Sequence, residues 1–97
     1  SRRRGYAALR AASQAVPQIK ALEDELSAEL ARDLAKGLRA LGVAVPARHL
    51  AALSRTIIEA ANRILDVALQ CEEAEAKLLV RELQRMIVSL LTQYIED

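Results

Sequence analysis

The residues of this 97-residue chain best suited to chemistry are few and far apart: His49 is the one histidine and Cys71 the one cysteine. A metal centre needs several N, S or O ligands at short, regular spacings. No second His or Cys stands at such a spacing from either residue, so no metal site is expected. A redox-active thiolate needs a cationic neighbourhood. Cys71 is followed by Glu72 and Glu73, which disfavour a thiolate, and reads as a small packing residue. Glu23-Asp24-Glu25 and Glu72-Glu73-Glu75 could suggest an acid/base pair, but adjacent residues on a helix do not face each other. Both runs are expected in the first turns of helices. Ser13, Ser27, Ser54 and Ser89 have no histidine near them in sequence, and no Gly-rich phosphate loop occurs. No catalytic constellation emerges, so neither an enzyme nor a bound cofactor is expected.

Two polar features carry more weight. Arg2, Arg3, Arg4 and Arg10 give the first sixteen residues four positive charges and no acid. A basic arm can contact phosphate. With no aromatic residue among the arginines to stack on bases, the arm reads as a solvated segment that joins an upstream domain. Asn62 is the polar group best placed at the margin of an apolar helix face. A buried Asn needs a hydrogen-bond partner; otherwise it stands in water.

These residues must be held by helices. The chain is 53% hydrophobic, rich in Ala and Leu, with three Gly, two Pro and two aromatic residues, Tyr6 and Tyr94. Such a composition excludes disorder, and one cysteine excludes a disulfide scaffold. Apolar runs fall far short of the roughly 20 residues that span a membrane, and no secretory signal is visible. A cytoplasmic location is expected. Opening on Ser1 rather than Met, the chain reads as a fragment or processed product. The net charge of +1 implies no particular partner.

Punctuation divides the chain into four helical segments within one domain, residues 1–97. The first covers 4–15 and breaks at Val16-Pro17, because the residue before proline is pushed out of the helical region. The second begins at Pro17 and runs to Leu41, ending on Gly42, a favourable C-cap residue. Val43-Ala44-Val45 is a short link. The third segment starts at Pro46 and reaches Gln70. The fourth runs from Glu73 to Tyr94 or Ile95, and its acidic start suits a helix N-terminus. The predicted fold is all-α, an antiparallel bundle of about four helices.

Leu22, Leu26, Leu30, Leu34 and Leu38 recur at a strict spacing of four. Such a row leans across the helix and favours oblique packing, near −50°. On the fourth segment, Leu79, Val80, Leu83, Met86, Ile87, Val88, Leu90, Leu91, Tyr94 and Ile95 share an apolar arc about 200° wide, where a surface helix needs little more than about 100°. The third segment has a similar arc, with Leu50, Leu53, Ile57, Ile58, Ala61, Ile64 and Leu65 on it. Two neighbouring helices with such wide arcs need covering on two sides. An apolar patch of that size left bare is a liability. A twofold homodimer relieves it, with the last two helices forming a four-helix bundle through Ile57, Ile64, Leu83, Ile87, Leu90, Leu91 and Tyr94.

The succession YAALRAASQAVPQIKALEDELSAELARDLAKGLRALGV, two long apolar helices, and the closing ELQRMIVSLLTQYI resembles the C-terminal domain of TetR-family transcriptional regulators. The resemblance covers residues 6–95 and lies in helix lengths and apolar spacing. It implies a bacterial regulator whose C-terminal part dimerises and holds a small-molecule effector. Operator DNA would be read only by an N-terminal helix-turn-helix, for which these residues have no room. Under that reading Tyr6, Leu26, Leu30, Ile58 and Leu65 form the apolar wall of an effector site. Asn62 and His49 would supply polar contacts, or stand exposed. The alternative is a stand-alone helical-bundle module that docks another protein through its apolar face.

Overall fold

The computed structural model describes residues 17–95, together with 5, 7 and 8. Of the helix expected over 4–15, Gly5, Ala7 and Ala8 are helical; the rest, with Tyr6 and the arginine run, lies outside the described residues. Three helices follow: α1 (Pro17–Ala40), α2 (Ala47–Ala68) and α3 (Glu73–Thr92). The four-helix count is thus three among the described residues, with no strand beside them.

Local chemistry sets the boundaries. At the end of α1 the amide of Gly42 donates to Arg39 O at 3.1 Å and that of Val43 to Leu38 O at 3.0 Å. This is a Schellman turn, and Gly42 supplies its positive φ of 101°. Its apolar partners are Leu38 and Val43, both in the core. The link read from sequence as a plain connector therefore contains Val43, which is only 1% exposed. Pro46 stands at the N-cap of α2, where its missing N–H costs nothing, and its carbonyl accepts the first helical bond from Leu50 N at 2.9 Å. Glu72 occupies the same position before α3, with Glu73 and Glu75 in the first turn.

One expectation needs correcting. Glu23-Asp24-Glu25 does not lie in the first turn of α1, which begins at Pro17 and holds no acid there. The run sits a turn further on, beyond the reach of the helix dipole. Asp24 instead meets Lys20 at 3.5 Å, an exposed i,i+4 pair.

Short connections make the helices antiparallel neighbours. α2 packs against α1 on one side and α3 on the other. The result is a thin slab of 46 × 34 × 14 Å. Its core is concentrated at one end, where Leu38, Val43, Leu50, Leu53 and Ile57 are buried together. Leu34, Ile87, Leu90, Leu91 and Tyr94 pack against them. The amide of Ala44 donates to Tyr94 O at 3.3 Å, and Val43 pairs with Ile95 in an isolated antiparallel bridge. The α1–α2 loop and the end of α3 are thereby stitched together. Arg39 adds a clamp, donating from Nη1 to Val45 O at 2.7 Å.

Candidate functional site

The leucine row of α1 leads from this core to open surface. A step of four residues advances about 400°, so each leucine is turned about 40° from the last. Five of them sweep too far round the helix for one neighbour to cover. Leu38 is 2% exposed, whereas Leu30, Leu26 and Leu22 are 44%, 56% and 63% exposed. Leu65 on α2 is exposed at the same end of the slab.

Asn62 and Ser27 bridge α1 and α2 here. Asn62 Nδ2 donates to Ser27 Oγ at 3.2 Å, and both residues are half-buried. Ser27 follows Leu26 directly, and Leu65 and Ile58 stand one turn either side of Asn62 on α2. The Asn62–Ser27 contact sets the stretch of α1 that carries Leu26 and Leu30 alongside the stretch of α2 that carries Ile58 and Leu65. The structure does not bring His49 to them. His49 is in the first turn of α2, about 20 Å along the axis from Asn62 at about 1.5 Å per residue. Its exposed ring meets the edge of Tyr94, with centroids 5.3 Å apart and planes at 86°. Cys71 is half-buried at the α2–α3 joint and its Sγ donates to Val67 O at 3.2 Å.

The residues expected at a dimer interface divide in two. Ile57 and Leu83 are buried within the chain itself and offer almost no surface to a second copy. Ile64, Ile87, Leu90, Leu91 and Tyr94 are half-buried and keep some area free. On α3 only Leu83 is fully buried, while Leu78, Met86 and Val88 are exposed. Leu78 lies off the predicted arc.

Sequence reasoning passed over two further residues. Val43 was legible from the Schellman pattern, because the residue after the C-cap glycine packs on the last turn. Ser54 is 0% exposed, and its Oγ has no hydrogen-bond partner among the described residues. Its place between Leu53 and Ile57 on an apolar face was the available signal.

Among the described residues no group of three His, Cys, Asp or Glu could hold a metal ion, and no helix is long and apolar enough to cross a membrane. The described residues form a helical layer with a partial core and exposed apolar side chains. The family described as "Tetracyclin repressor-like, C-terminal domain" matches residues 1–91, and the chain belongs to it. Domains of this kind serve transcription regulators as ligand-binding and dimerisation units, and such regulators are generally not enzymes. No curated protein and no solved structure matches the chain.

Proposed function

We propose that this single domain dimerises and binds a small-molecule effector within a bacterial, cytoplasmic transcriptional regulator of the tetracycline-repressor type. Operator binding is assigned to an N-terminal helix-turn-helix, not to residues 1–97. The observation that carries the reading, beside the family match, is α3. It bears eight of the ten apolar residues of the predicted arc yet fully buries only Leu83. In a second copy, the free parts of Ile64, Ile87, Leu90, Leu91 and Tyr94, together with Met86, would meet their counterparts.

The mechanism follows from geometry. Two recognition helices must sit about one DNA turn apart, roughly 34–36 Å. The dimer contact of α2 and α3 sets that distance. The effector binds beside Leu26, Leu30, Ile58, Asn62 and Leu65, against α1. It shifts the spacing only as far as it prefers one arrangement over the other. The Ser27–Asn62 bond is a polar contact that such a ligand could exchange.

Sedimentation velocity tests the assembly. The wild-type chain should sediment as a dimer. Met86→Asp and Leu90→Asp should each yield monomers, because either would bury an unpaired charge at the interface. Met86 is exposed in one chain, so its variant keeps the core intact. A monomeric wild type at high concentration would sink the dimer. Two dimeric variants would move the interface to another face.

A further inference from the structure

A second surface on the α1–α2 pair has a different chemistry. Ala28, Ala31 and Ala35 of α1 and Ala51 of α2 floor a cleft of about 290 Å³, and Arg32 and Arg55 stand at its rim. Four alanines keep the facing side chains short and leave an apolar trough between the helices. Its volume is at the lower end for small-molecule sites, about 300–1,000 Å³.

The rim is cationic and partly committed. Arg55 Nε donates to Glu59 Oε2 at 2.7 Å. That bond steadies the guanidinium, while Nη1 and Nη2 have no partner among the described residues. Arg32 makes no hydrogen bond or ion pair among the described residues, so its whole fork is available. Arg48 precedes Arg55 by seven residues, close to two helical turns, and adds positive charge on the same face. Arg39, by contrast, is spent on the carbonyls of Val43 and Val45.

A guanidinium fork recognises a planar carboxylate through paired hydrogen bonds. An inorganic anion would leave the alanine floor unused, and a hydrocarbon would make no use of the two guanidinium groups at the rim. We propose that this cleft binds a small organic anion with an apolar body, an aryl or medium-chain carboxylate. Its carboxylate bridges Arg32 and Arg55 while its apolar part lies on Ala28, Ala31, Ala35 and Ala51. The inference rests on the reading of this domain as a ligand binder and adds a second ligand site, apart from the effector surface at Leu26–Leu65.

The test is a ¹H–¹⁵N NMR titration of the chain with octanoate and benzoate, below any micelle concentration, and with octanamide as the uncharged control. Saturable shifts at the amides of Ala28, Ala31, Ala35 and Ala51 are expected. Octanamide should bind roughly tenfold more weakly or worse, and Arg32→Gln/Arg55→Gln should weaken octanoate by a similar factor. Both arginines are rim residues and the double variant removes only the exposed Arg55–Glu59 pair, so its melting temperature should fall by no more than about two degrees. Equal binding of octanamide, or no saturable shift with either acid, overturns the proposal. Shifts centred on Leu26, Leu30, Asn62 and Leu65 also overturn it, yet leave the effector-binding role standing. Saturable shifts at the cleft in a chain that sediments as a monomer would have the reverse effect, sparing the cleft and removing the dimer.

Discussion

The two ends of the slab are built from the same residue types and finished to different degrees. At the loop end, Leu38, Val43, Leu50, Leu53 and Ile57 exclude water, and backbone bonds from Val43, Gly42 and Ala44 lock the loop to α1 and α3. At the other end, Leu22, Leu26, Leu30, Leu65 and Leu78 are exposed, and one side-chain hydrogen bond, Asn62 to Ser27, joins α1 to α2. The loop end buries a core within a single chain, although Leu41 and Ile95 stay exposed beside it. Among the described residues the other end has apolar surface in place and no equivalent core. Elements that respond to ligands are drawn from the less stable parts of a fold.

Truncating one leucine at each end gives the largest contrast. Leu53→Ala should cost ~2–5 kcal/mol by urea unfolding, since it opens a cavity in the closed core. Leu26→Ala should change stability by less than about 0.5 kcal/mol in a single chain, as an exposed site does. Equal losses would erase the distinction between the ends.

The next effect tests what pins the closed end. Gly42→Ala should cost about 1–2 kcal/mol, the penalty of a left-handed backbone for a residue with Cβ. The added carbon would find only Ile95 Cγ2, at 4.0 Å, an ordinary contact. The loss is therefore backbone strain, and thermal melting should show it with helical circular dichroism unchanged below the transition. An unaffected melt would mean that the Schellman turn does not hold this end.

The smallest effect concerns Ser54, buried without a partner on α2. Ser54→Ala should stabilise the isolated chain by up to about 1 kcal/mol, because an unsatisfied buried hydroxyl carries a desolvation cost. A loss of stability would show that the hydroxyl has a hydrogen-bond partner in solution.

For the three helices Pro17–Ala40, Ala47–Ala68 and Glu73–Thr92, sequence alone located the boundaries to within about two residues. Pro17, Gly42, Pro46 and Glu73 act through φ restriction, positive φ and first-turn charge, which are properties of a residue and its immediate neighbours. The wide apolar arc of α3 was legible for the same reason, since it needs only the helical repeat. Arg39 was not, because its clamp on Val43 and Val45 depends on the path of the following loop. The first-turn assignment of Glu23-Asp24-Glu25 failed on simple register from Pro17.

Where the chain is helical and how much of each helix is apolar follow from interactions within a few residues, and so are written locally in the sequence. Which apolar side chains are covered was decided only by the tertiary structure. The leucine row of α1 turns away from α2 step by step, so identical residues at identical spacing run from the core at Leu38 to solvent at Leu22. Bringing Arg32 and Arg55 to one alanine-lined cleft likewise needed the antiparallel return of α2 along α1, which joins positions too distant in sequence for any local pattern to encode.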